Sequence, residues 1–318
     1  MSFRGTLPQL GGELFLTDGG IETTLIFLEG QELPLFAAFH LLQTRPGTEA
    51  LRKYFRTYVD LARRLGVGVI LETPTWRANP DWGPQLGYTE EALAEANRRS
   101  VRLLEEVRSA HPSSAPPVVI SGCIGPRGDG YVPGTAMSKA EAEEYHRWQV
   151  GIFAATAAEL VTALTMNYVE EAIGVARAAR QVGMPAVISF TVETDGRLPT
   201  GQALAEAIAE VDAATGAYPA YYMINCAHPS HFQQVLPGGA AWTDRIHGVR
   251  ANASRMSHAE LNEAPALDAG DPVTLGREYA DLRARHLRHL NVMGGCCGTD
   301  DRHVAAIAAA CLPTFHGT

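Results

Sequence analysis

The chain has 318 residues, 46% of them hydrophobic, and a formal net charge of −9. That length can bury a large core, as two domains or as one barrel. Lysine and arginine are scattered along it, which excludes the electrostatic footprint of a nucleic-acid or anionic-membrane binder and leaves small molecules as the expected partners.

The opening stretch, MSFRGTLPQLGG, has no apolar core of the signal-peptide kind, and no run of about 18 uncharged apolar residues follows, so the expectation is a cytoplasmic protein with no membrane span. Apolar, β-branched runs then recur: ELFLT (13–17), GVGVILET (66–73), PPVVISG (116–122), ELVTALT (159–165), PAVISFTVE (185–193), AYYMIN (220–225), IHGVRAN (246–252) and LNVMGG (290–295). Between them lie stretches with apolar residues three and four apart, among them 49–66, 89–110, 168–183 and 274–290, and Gly66 and Gly183 stand where helix C-caps belong. Eight strand–helix units without a linker predict parallel strands buried on both faces, the count of a single-domain α/β (β/α)8 TIM barrel over 1–318. A doubly wound open sheet is the alternative, but no G-x-G-x-x-G follows the first strand.

In such a barrel the chemistry lies at the C-terminal strand ends. Strand one ends in Asp18, Gly19 and Gly20, strand two in Glu72 and Thr73, and strand three in Ser121, Gly122 and Cys123. Strand five ends in Thr191 and Glu193, six in Asn225 and Cys226, seven in Arg250 and Asn252, and eight in Gly294, Gly295, Cys296 and Cys297. Strand eight closes beside strand one, which brings Asp18 near the cysteine pair.

Five cysteines, an odd number in a chain that needs no staples, argue for reduced thiols. Cys311, in an apolar helix, and Cys123 read as packing residues. Cys226, Cys296 and Cys297 converge on one rim, and three thiolates suit Zn2+ with a fourth position open to substrate. Glycines flanking Cys296 and Cys297 are expected to supply the backbone freedom that turns two adjacent thiols to one ion. A redox switch through a Cys296–Cys297 disulfide is the competing reading. His228 and His231 follow Cys226 at ligand-like spacing but are expected on the next loop and helix.

In order and over nearly the whole chain, DGGIETTL, LETPTWRAN, SGCIGPRGDGY, ISFTVETDGRLPTGQ, INCAHP and GGCCGT resemble the homocysteine S-methyltransferase family. The resemblance implies a zinc-dependent barrel that moves a methyl group from a sulfonium or quaternary ammonium donor to a thiol, nominally homocysteine giving methionine. It makes Cys226, Cys296 and Cys297 the zinc ligands and catalytic centre, and gives Asp18, Gly19 and Gly20 the amino-acid part of the acceptor. Glu72, Thr73, Trp76, Thr191, Asn225 and Asn252 complete the candidate substrate site, with Tyr131 a further aromatic on the rim; Trp82 and Trp148 read as packing. Two departures stand out. Strand four closes on Leu164-Thr165 where the family commonly has Glu-Thr, and strand seven leads into VRANASRMSH, with Arg250 and Arg255; Arg77 also stands where some members carry aromatics. A different thiol acceptor, a zinc- or redox-sensing binding protein, and a zinc hydrolase using Glu72 or Glu193 as base are the alternatives.

Overall fold

The computed structural model describes residues 3–111, 116–264 and 266–315. Eight parallel strands close into one barrel in chain order: β1 (Phe15–Leu16), β2 (Gly68–Glu72), β3 (Val118–Ile124), β4 (Leu160–Met166), β5 (Ala186–Phe190), β6 (Tyr221–Asn225), β7 (Ile246–Ala251) and β8 (Val292–Gly295). Each overlaps a run marked out by the sequence, β3 and β4 extending two residues and one residue beyond theirs. β8 closes on β1 through Phe15–Val292 and Leu16–Met293. This is the expected (β/α)8 barrel, and among the described residues no helix is long and apolar enough to cross a membrane.

The helices around it are α1 (Arg45–Leu65), α2 (Glu90–Ser109), α3 (Lys139–Ala154), α4 (Val169–Gln181), α5 (Leu204–Thr215), the short α6 (Pro229–Phe232) and α7 (His258–Glu263), α8 (Pro272–Arg285) and α9 (Asp301–Cys311). Their starts follow capping chemistry. The Thr44 side chain accepts from Gly47 N and that of Thr89 from Ala92 N, and reciprocal capping boxes open α3 at Ser138/Glu141 and α7 at Ser257/Glu260. Gly66 ends α1 at φ 71°, the left-handed value expected of a C-cap glycine.

Side chains alternate across each strand. Outward residues such as Leu71, Ile120, Val161, Ile188 and Val249 join the helices in one continuous core. Inward residues Phe15, Ile70, Val119, Leu160, Val187, Tyr221, Met223 and Val292 fill the barrel's lower half, joined by Leu7. Above this apolar floor the inward positions turn polar: Ser121 bonds Thr162 (2.8 Å), Ser189 donates to Asn225 (2.6 Å), and Glu72 meets Arg250. The switch from apolar to polar within each strand places the chemistry at the C-terminal mouth.

Candidate active site

A cavity of roughly 430 Å3 opens at that mouth, and Asp18, Gly19, Gly20, Glu72, Thr73, Trp76, Asn225 and the three rim cysteines all line it. The sulfurs of Cys226, Cys296 and Cys297 lie within 4.8 Å of one another.

Backbone geometry builds this cluster from two strand ends. Asn225 braces the end of β4: its Oδ1 accepts from Thr165 N (2.9 Å) and its Nδ2 donates to Thr165 Oγ1 (2.9 Å), holding Thr165 at φ 62°. The next residue, Cys226, is itself left-handed at φ 55°, a conformation that costs a non-glycine residue energy and persists only where its surroundings impose it. Here the Cys226 amide donates to Arg250 O (3.1 Å), and its carbonyl accepts from Asn252 Nδ2 (2.9 Å) and His258 Nε2 (2.6 Å). After β8, Cys296 N donates to Ala251 O (2.8 Å), Ala253 N donates to Cys297 O (3.0 Å), and the chain turns at Gly298, φ 79°.

The flanking glycines therefore divide in role. Gly298 supplies the left-handed turn. Gly294 and Gly295 instead permit close approach, because a Cβ on either would collide with Thr17 or Thr299. Likewise a Cβ on Gly20 would lie 2.5 Å from Cys296 O and one on Gly19 2.8 Å from Thr299 O, so the DGG and GGCCGT segments interlock. A Cys296–Cys297 disulfide is the competing reading of these thiols; in the structure it is the sulfurs of Cys226 and Cys296 that are in contact, with their Cα atoms 5.4 Å apart, and Cys297 is free.

The cluster fits zinc. Three sulfurs bonded at about 2.3 Å to a tetrahedral ion stand roughly 3.8 Å apart, inside the 4.8 Å limit of the cluster, so an ion needs only the touching Cys226 and Cys296 sulfurs to part. Burial also pushes the Cys297 thiol up to about 11, against the opposing pull of the Tyr131 hydroxyl 3.7 Å from its sulfur. A buried thiol of that kind becomes a thiolate at neutral pH only beside a cation.

Beside the sulfurs lies a charged floor. Asp18, 2% exposed, accepts from Arg250 Nη2 through Oδ1 (2.5 Å) and from the Tyr54 hydroxyl through Oδ2 (3.0 Å). Arg250 Nη1 also faces Glu72 Oε2 at 3.2 Å. Burial raises the carboxyls of Asp18, Glu22 and Glu72, the last two to about 7, with Arg250 opposing the rise in each.

Another part of the wall is aromatic. Trp76 and Tyr131 line it together with Arg77, whose guanidinium lies 4.7 Å from the Trp76 ring centre and 3.5 Å from that of Trp82. Tyr131 stacks on His258, ring centres 4.0 Å apart, and His258 Nδ1 is 3.0 Å from Glu193 Oε1.

Two of the expected site residues stand outside this wall. Thr191 is fully buried, its hydroxyl without a hydrogen-bond partner among the described residues, and Asn252 donates Nδ2 to the Cys226 carbonyl while its Oδ1 has none. Thr73 lines the cavity, but its hydroxyl is engaged by Thr75 (2.6 Å) and Cys123 N (2.9 Å). His228 faces Glu278 and Ser230, and His231 the carbonyl of Arg255, as expected of residues beyond the metal cluster. Glu22, Tyr54 and His258 were not picked out from sequence. Glu22 sits within the quoted DGGIETTL, and helical spacing on α1 puts Tyr54 on the buried face with Leu51, Phe55 and Tyr58. His258 carried no signal beyond the Ser257 capping box that starts its short helix.

A family model described as homocysteine S-methyltransferase matches residues 15–311. Solved structures of the Escherichia coli homocysteine methyltransferase MmuM superpose over nearly the full length of both chains. The oxidised form gives a TM-score of 0.73 at 20% identity, covering 96% of this chain and 98% of that one. The metallated form gives 0.71 at 20% identity, covering 95% and 98%. No curated protein matches by sequence.

Proposed function

Because the chain belongs to the homocysteine S-methyltransferase family, we propose that it is a zinc-dependent thiol S-methyltransferase of the cytoplasm, with a sulfonium or quaternary ammonium compound as donor and homocysteine, giving methionine, as nominal acceptor. The observation that carries this reading is the cluster of three sulfurs, all within 4.8 Å of one another, at the wall of the cavity.

Cys226, Cys296 and Cys297 would hold the ion, which would keep an acceptor thiol, ordinarily of pKa about 8.5, as thiolate at neutral pH. In the transfer, the acceptor sulfur's electron pair forms the new bond to the methyl carbon. The methyl–donor bond breaks with its pair left on the donor sulfur or nitrogen, which becomes neutral. The thiol proton has already left to solvent, so no general base is needed. The protein's remaining task is alignment, which contributes up to roughly 7 to 11 kcal/mol in oriented reactions.

Trp76 and Tyr131 offer aromatic faces to a cationic donor, and Glu22 a carboxyl that is ionised above about pH 7. Asp18, Glu72 and Arg250 form the floor beside the acceptor, and Asn225 and Asn252 hold the strand end that carries Cys226. The hydrolase alternative has less support, because Glu72 faces Arg250 and Glu193 faces His258.

The test is methyl transfer by zinc-loaded protein across a panel of thiols and of sulfonium and ammonium donors. Formation of a methyl thioether that requires Cys297 supports the reading. Consumption of donor without a thioether, or no reaction with any pair, would remove it.

A further inference from the structure

We propose that Arg250 is a built-in cation occupying the place where an acceptor's ammonium group would bind, so that the thiol methylated here carries no ammonium group. This rests on the reading that the cavity accepts a thiol.

Arg250 rises from β7 into the barrel mouth and is 4% exposed. Its guanidinium is held from three sides: Nη2 donates to Asp18 Oδ1 (2.5 Å) and Gly19 O (3.2 Å), Nε donates to Gly295 O (3.1 Å), and Nη1 faces Glu72 Oε2 (3.2 Å). Asp18 Oδ2 is taken by the Tyr54 hydroxyl. Both oxygens of the carboxylate best placed for an ammonium are therefore engaged from within the protein.

Coulomb energies decide the consequence. An ammonium brought to within about 4 Å of Asp18 arrives almost as close to the guanidinium bonded to it, so attraction and repulsion nearly cancel. The ammonium still loses its hydration on entry, which leaves a net cost. Glu72 and Glu22 add little, because burial raises both carboxyls to about 7, and Glu72 already faces the same guanidinium. Leu164, 9% exposed, adds an apolar side chain to the same cavity.

Arg77 completes the pattern. It lines the cavity with Nε and Nη1 buried and without hydrogen-bond partners, its nearest acid being Asp129 at 3.9 Å. That guanidinium suits a carboxylate. The favoured acceptor is thus a thiol ending in a carboxylate, with hydrogen where homocysteine has its amino group.

Homocysteine and 4-mercaptobutanoate differ only in that ammonium group. Calorimetric titration of each into the zinc-loaded full-length protein should show 4-mercaptobutanoate binding tighter by roughly tenfold or more, and Arg250→Gln should narrow that ratio by tightening homocysteine, while Arg250→Lys keeps it. Equal or tighter binding of homocysteine by the wild-type protein overturns the proposal, as does an unchanged ratio in a folded Arg250→Gln variant or failure of both thiols to bind. The wild-type ratio decides the matter alone if Arg250→Gln does not fold. The expected binding order without methyl transfer to either thiol would remove the methyltransferase reading and leave the assignment of Arg250 standing.

Discussion

His258 Nε2 lies 2.6 Å from the carbonyl oxygen of Cys226, the one sulfur residue of the cluster with a left-handed backbone. With Glu193 at its other nitrogen and Tyr131 stacked on its face, the imidazole is fixed on two sides, and through Tyr131 it is linked to Cys297. One side chain thus supports both halves of the cluster. Partners of this kind around a metal ligand typically contribute 10- to 100-fold in affinity. His258→Ala is predicted to weaken zinc binding by about that factor in competition with a chromophoric chelator, with His258→Gln, which keeps an N–H donor, recovering part of it. Equal affinity in all three proteins would make the contact incidental.

The purified protein is predicted to bind close to one zinc per chain. Cys226→Ser and Cys297→Ser should each lower zinc affinity by tenfold or more, on the order expected for loss of a ligand. Elemental analysis under reducing conditions reads this directly, and full zinc in both variants would show that the sulfurs are not the ligands. Aerobic handling should deplete the metal by oxidising the thiols of the cluster, and dithiothreitol should restore binding.

The Asp18–Arg250 pair is buried, 2% and 4% exposed, so removing one partner strands a charge. Asp18→Ala is predicted to cost about 3 to 5 kcal/mol of stability, and Asp18→Ala with Arg250→Met to recover most of it. Denaturant unfolding of the two variants checks this. A single variant as stable as the wild type would mean that water or Glu72 satisfies the guanidinium.

The strands were legible because parallel barrel strands are buried on both faces and so read as apolar runs, and because the polar residues closing each run mark the mouth. Chain order alone puts Cys226 and the Cys296–Cys297 pair on one rim. Pairings across the mouth were not legible: Asp18 and Arg250 are 232 positions apart, and only barrel closure sets one guanidinium between two carboxyls. Asn252 and Thr191 close their strands and so read as site residues, but neither lines the cavity. What a polar side chain at a strand end meets depends on local bends, such as the left-handed turn at Cys226, that composition does not encode. His258 lay hidden for the same reason, at the start of a six-residue helix too short to show periodicity.

Glu22 and Glu72 tie stability to pH. Each has an ordinary carboxyl value of 4.5, raised by burial to about 7 in the folded chain. Between those values the folded protein keeps protons that the unfolded chain has released, so raising the pH across this window favours unfolding. The metal-free protein is predicted to lose on the order of 1 kcal/mol per pH unit per group from about pH 5 to 7. Glu72→Gln should flatten the slope. A stability that rises over this range would contradict the assignment.

X-ray absorption at the zinc edge, on protein with and without an added thiol, tests most directly whether the three-sulfur cluster is the seat of the chemistry. The prediction is three sulfur ligands at about 2.3 Å in the resting protein and four after the thiol is added, with the fourth lost when the thiol is methylated. A zinc shell dominated by nitrogen or oxygen, or one unchanged by any thiol that binds, would contradict it.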